Sequence, residues 1–71
     1  DVKVGELEPL VRAALIEDPQ SSMLSFFLAE TRYAVGDADV AIDLWRESAS
    51  RAPAWATPLM RAATVLLEQG R

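Results

Sequence analysis

Apolar residues recur along this chain at helical spacing, and no stretch alternates apolar and polar positions as a strand would. Leu7, Leu10, Val11, Ala14 and Leu15 follow the i, i+3, i+4, i+7, i+8 stripe of a buried helix face. They predict a helix from about Glu8 to Asp18, with Pro9 in its first turn, where a missing N–H costs nothing, and Pro19 as its stop. A second helix is predicted from Ser22 to Val35, with Ser21 or Ser22 as cap and Gly36 as the left-handed residue past its end. A third runs from Ala38 to Ala52 behind an Asp37 cap, with Ala38, Ala41, Ile42, Trp45 and Ala49 as its core stripe and Pro53 closing it. A fourth runs from Pro58 to Gln69, capped by Thr57 and followed by Gly70. The linkers are short enough to force neighbouring helices antiparallel, so the expected fold is all-α: four helices in stacked antiparallel hairpins.

The breakers recur with a period. Pro19 and Pro53 lie 34 residues apart, as do Gly36 and Gly70, Ala29 and Ala63, Leu10 and Leu44, and Arg12 and Arg46. Three of these pairs are the breakers and the small residue that a helix–turn–helix repeat requires, and 34 is the period of the tetratricopeptide repeat.

The chain resembles that family, whose pattern is W-x2-L-G-x2-Y, then A-x3-F, then P. Here the series is Ser25-x2-Leu28-Ala29-x2-Arg32, Gly36-Asp37 at the turn, Ala41-x3-Trp45, Ser48 and Pro53. Ala29 and Ala41 are small where two helices cross, and Trp45 fills the space beside them. Ser25 and Arg32 depart from the pattern, standing where the family places large aromatic residues. That side of the second helix is either solvated or covered by the Arg32 stem with its head in water. The resemblance implies one helical domain over residues 1–71: residues 1–21 as the second helix of one repeat, 22–55 as a complete repeat, and 56–71 as the first helix of the next, together a short α-solenoid.

The first helix of each tetratricopeptide repeat lines a concave groove that receives partner peptides or helices. Carried over, the groove positions are Met23, Phe26, Glu30 and Tyr33, then Thr57, Met60, Thr64 and Leu67. This apolar surface with one carboxylate is unlike the basic, Asn-lined clamp of the chaperone-binding members. It suits an apolar strand, or an amphipathic helix bearing one basic residue. Plain core packing is the expectation for Phe27 and Leu28. For Phe26, Tyr33 and Met60, core and binding surface stay open as alternatives. Glu30 is either partner-facing or simply exposed on an uncovered face.

The apolar content exceeds what four helices need. At ~100° per residue the apolar positions of the fourth helix span roughly 220°, against a little over ~100° for an ordinary surface helix. The second helix is broader still. Flanking repeats, a second copy or a ligand should cover these faces.

Composition narrows the function. The 71 residues are 51% hydrophobic, which excludes a disordered tail, and contain neither Cys nor His, which removes disulfides and the usual zinc ligands. A net charge of −4 with one Lys and six scattered Arg disfavours nucleic acid and anionic membrane surfaces. No run approaches the ~20 apolar residues of a membrane span, so no membrane insertion is expected. The absence of Cys fits a reducing or an oxidising compartment, and the Ala- and Arg-rich, Lys-poor composition points to a high-GC bacterial source. Asp37, Asp39 and Asp43 open like a calcium loop, but Ile42 and Ser48 stand where Gly and Glu are needed; Asp37 and Asp39 instead complement the positive end of the third helix. Ser48 and Ser50 have no identifiable base, and the only Lys is Lys3, in a terminus expected to fray. No catalytic set or cofactor is expected. The expected function is a non-catalytic module that binds a protein or peptide partner, with self-association or extension of a longer repeat scaffold as the alternative.

Overall fold

The computed structural model describes residues 4–70. Lys3 lies outside them, as do the outermost residues of the first and last repeat segments. Four helices follow in order: α1 (Val4–Glu17), α2 (Ser22–Ala34), α3 (Ala38–Arg51) and α4 (Thr57–Glu68). Each packs against the next, giving an all-α stack of antiparallel hairpins with no strand among the described residues. The elements keep the sequence period. The bounds of α1 and α3 are offset by 34 residues at both ends, as are the last residues of α2 and α4.

The helix ends show how local chemistry sets the turns. Ser21 caps α2, its Oγ accepting from the Leu24 N–H at 3.1 Å. The other end of α2 closes in a Schellman turn: Asp37 N–H donates to the Arg32 carbonyl at 2.9 Å and Gly36 N–H to the Tyr33 carbonyl at 3.0 Å. Gly36 takes φ +93°, and Gly70 repeats the device after α4 with φ +74°. A Schellman turn is usually braced by an apolar contact between its outer residues. Here Arg32 Nη2 binds Asp37 Oδ2 at 2.6 Å across the same two positions.

Three local expectations need correction. The first helix begins at Val4, so Pro9 lies inside it rather than in its first turn. Asp37 occupies the N-cap position of α3 but makes no side-chain cap bond, because its carboxylate is drawn to Arg32. Thr57 is already helical; Ala56 holds the cap position without a side-chain bond, and Pro58 falls in the first turn of α4.

The core lies where α2, α3 and α4 meet. Ala29, Ala41, Ile42, Trp45, Ala62 and Val65 form it, with Phe26, Tyr33, Ala38, Leu44 and Leu66 packed on its edges. The two alanines let α2 and α3 approach closely, and the fully buried Trp45 fills the space beside them. Leu28 is buried as expected, whereas Phe27 is 47% exposed. The side of α2 carrying Ser25 and Arg32 is covered. Ser25 is buried and its Oγ accepts from Arg51 Nη1 at 3.0 Å, while Arg32 reaches back to Glu8 Oε1 on α1 at 3.1 Å. Ser48 is likewise a joint between helices, donating to the Ser22 carbonyl at 2.6 Å. Every buried side-chain polar atom among the described residues has a partner. What the fold leaves uncovered is apolar surface.

Candidate functional site

α2 and α4 meet through a polar junction built on Glu30. Its Oε2 accepts from the buried Trp45 indole at 3.0 Å and from Arg61 Nε at 2.9 Å, and Oε1 accepts from Arg61 Nη2 at 3.3 Å. The Arg61 guanidinium also lies over the Trp45 ring at 5.0 Å and the Tyr33 ring at 5.4 Å. Its pKa is raised further, chiefly by the hydrogen bonding it donates to Glu30. Tyr33 donates through its hydroxyl to Glu68 Oε1 at 3.0 Å, which pushes the phenol above its ordinary value. The junction is thus a closed set of bonds between α2, α3 and α4. It can hold helices together; it contains no nucleophile with a base beside it.

The residues assigned to a groove divide into two groups. Glu30 and Tyr33 are half-buried in this junction, and Phe26 is half-buried with its ring 5.0 Å from that of Trp55. Glu30 therefore presents no free carboxylate to a partner; the arginine that binds it stands 31 residues away in sequence. Met23, Met60 and Leu67 are open to solvent, at 49%, 65% and 76% exposure. Thr57 and Thr64 are exposed too, Thr64 bonding its hydroxyl back to the Met60 carbonyl. Arg61, Trp55 and Glu68 were missed by sequence reasoning, because no local spacing signals a partner on a distant helix.

A second apolar surface lies on the other flank of α2. A groove of about 530 Å³ opens between α1 and α2, lined by Leu7, Leu10, Val11, Phe27, Glu30, Thr31 and Ala34. Leu7 and Leu10, expected to be buried, are 39% and 68% exposed along it. The repeat explains why. Shifted by 34 residues, Leu7, Leu10 and Val11 become Ala41, Leu44 and Trp45, while Phe27, Thr31 and Ala34 become Arg61, Val65 and Glu68. In the α3/α4 hairpin most of those counterparts are covered, and the rest are bonded to α2. Ala41, Trp45 and Val65 are buried, Leu44 packs on the core, and Arg61 and Glu68 are bonded to Glu30 and Tyr33 of α2. Thr64, the counterpart of Glu30, is exposed and makes no bond to α2, its hydroxyl turning back to the Met60 carbonyl. The α1/α2 groove is therefore the counterpart of a groove that α2 fills one repeat further on, and no helix among the described residues fills it.

Among the described residues no cluster of three or more His, Cys, Asp or Glu could hold a metal ion, and no helix is long and apolar enough to cross a membrane. Comparison with protein-family models, with curated proteins and with solved structures finds no match to this chain.

Proposed function

We propose that this chain is a non-catalytic protein-interaction module of tetratricopeptide-like helical repeats, and that it seats an apolar helix in the groove between α1 and α2. One observation carries this. The lining of that groove is the repeat counterpart of surfaces that α2 covers in the α3/α4 hairpin, so its shape and apolar character suit a helix lying as α2 lies. The 34-residue period and the offset repeat pattern support the same architecture. The occupant fits by apolar side chains rather than by charge, since Glu30 at the rim is already bonded to Trp45 and Arg61. A partner bearing a basic residue for Glu30, as the sequence pattern invites, has no open carboxylate to meet.

The test is a heteronuclear NMR titration of the chain with a synthetic amphipathic helical peptide whose apolar face is Leu-rich and uncharged. The expected shifts fall on Leu7, Leu10, Val11, Phe27 and Ala34, and L10E abolishes them. Shifts confined to Met23, Met60 and Leu67 would instead place the partner along the face that the repeat resemblance assigns. No shift on either surface would remove the interaction reading.

A further inference from the structure

Among the described residues no helix fills the α1/α2 groove, and none covers the outer side of α4. Leu59, Met60 and Leu67 of α4 are more than half exposed, and Ala63 beside them is open as well. Shifted by 34 residues these are Ser25, Phe26, Tyr33 and Ala29 of α2, the positions through which α2 packs on α3 and α4. The helix that belongs in the groove by repeat position is an α2 equivalent, and α4 is that equivalent.

The side chains on the two surfaces have changed together. Where α2 meets the α3/α4 hairpin, Glu30 binds Arg61 and Trp45, and Tyr33 binds Glu68 and stacks on Trp45 at 5.7 Å. Shifting each contact by one repeat pairs Thr64 with Phe27 and Val11, and Leu67 with Ala34 and Val11. Glu30, Arg61 and Glu68 all have uncharged counterparts, on both sides of the contact at once; the one charge that persists is Glu17, the counterpart of Arg51, which is exposed at the end of α1. An uncharged helix face thus meets a groove whose one lining charge, Glu30, is already bonded to Trp45 and Arg61, so no carboxylate is left buried alone.

The geometry points to a second copy of this chain as the occupant: α4 of one copy lies in the α1/α2 groove of the next. This rests on the groove reading above and names its partner. One contact covers both uncovered faces, because α1 of the receiving copy then stands against α4 of the donor as α3 stands against α2. The contact is heterologous, joining different surfaces on the two copies, so repetition builds an open or ring-closed stack rather than a two-fold dimer. Each copy carries a net charge of −4, so the apolar contact forms against mutual repulsion and tightens when salt screens it.

The experiment is light scattering and sedimentation of the full chain over a concentration series, with L10E in the groove and L67E on α4; both positions are exposed, and circular dichroism checks that each variant keeps its helices. M60E serves as a second α4 variant. The wild type is expected to grow in mass with concentration, and more so in added salt. L10E alone and L67E alone are expected to be monomers. Mixed in equal amounts they are expected to form a one-to-one heterodimer, the intact α4 of L10E entering the intact groove of L67E. A wild type that stays monomeric at millimolar concentration, a single variant that still associates, a mixture that stays monomeric, or association that weakens with salt would each overturn the self-contact. If the Leu-rich peptide still shifts Leu10 and Phe27 in a chain that stays monomeric, the groove reading stands and the choice of occupant fails; if it shifts nothing, both fall.

Discussion

Glu30 and Arg61 are joined by two hydrogen bonds, of 2.9 and 3.3 Å, that tie α2 to α4 across 31 residues of sequence. The pair is half-buried, and the guanidinium stacks on two rings while it binds the carboxylate. An exposed ion pair contributes about 0.2–1 kcal/mol, and a cation over an aromatic face adds about 0.5–1 kcal/mol. R61A should therefore lower the urea unfolding free energy by about 1–2 kcal/mol. R61K, which keeps a charge but loses the planar fork, should fall between it and wild type. A double-mutant cycle of R61A with E30Q isolates the pairwise part. A coupling energy indistinguishable from zero would mean that Arg61 acts only through its stacking on Tyr33 and Trp45.

The sharing of Arg32 between Glu8 and Asp37 predicts sensitivity to acid. Glu8 is held below its ordinary 4.5 by its hydrogen bond from Arg12 first and by Arg32 next. Asp37 is held below its ordinary 3.8 mainly by Arg32. The folded chain thus binds these two protons less readily than the unfolded chain. The stability they supply is complete above the ordinary carboxyl range and is lost as pH falls through the lowered folded values. Melting temperature should therefore hold near neutrality and drop below about pH 4.5, with the α1–α2 contact weakening as the Glu8 link to Arg32 is neutralised. The double variant E8Q/D37N should start from a lower melting temperature at pH 7 and lose less on acidification. An acid limb of unchanged steepness in that variant would place the sensitive carboxylates elsewhere.

Much of the fold is legible in the sequence because its punctuation is local. Pro19, Gly36, Pro53 and Gly70 mark helix ends by backbone chemistry alone, and the stripe of Ala41, Ile42, Trp45 and Ala49 names the buried face of α3. What periodicity cannot convey is which neighbour covers a face. Leu7 and Leu10 sit on an unmistakable helical stripe, yet they are exposed because no described helix lies against that part of it. Glu30 shows the converse. Flanked by apolar residues it reads as an outward charge, and it is drawn inward by an indole and a guanidinium from two other helices. Phe27 joins the exposed set for the same reason as Leu10: both face the groove beside α1.

Gly36 isolates a backbone effect from a packing effect. Its φ of +93° lies in the region that side chains disfavour, while a Cβ built there would meet nothing within 4 Å. G36A should thus cost only the left-handed conformation, about 1–2 kcal/mol. G36N should cost less, since asparagine tolerates that region. Chemical denaturation of the two variants provides the comparison. A loss for G36N as large as that for G36A would show that the turn needs more than a residue tolerant of positive φ.

Tyr33 offers a spectroscopic view of the α2–α4 junction, because it is the only tyrosine in the chain. Its hydroxyl donates to Glu68, and the carboxylate disfavours a phenolate beside it, so the folded pKa lies above the ordinary 10.0. The sign is that of an acid held in its protonated form. The contribution to stability is present below the ordinary value and is lost as pH rises through the raised one. An ultraviolet titration of the folded chain should give a midpoint above 10.0, and E68Q should move it back down by removing the charge while leaving an oxygen to accept the bond. E68A should lower it as well and loosen α4, visible as reduced amide-exchange protection in its last turn. A midpoint that does not respond to either change would mean that the phenol and Glu68 are not bonded in solution, and that α2 and α4 are held together by the Glu30–Arg61 link and the apolar contacts of Ala62 and Val65.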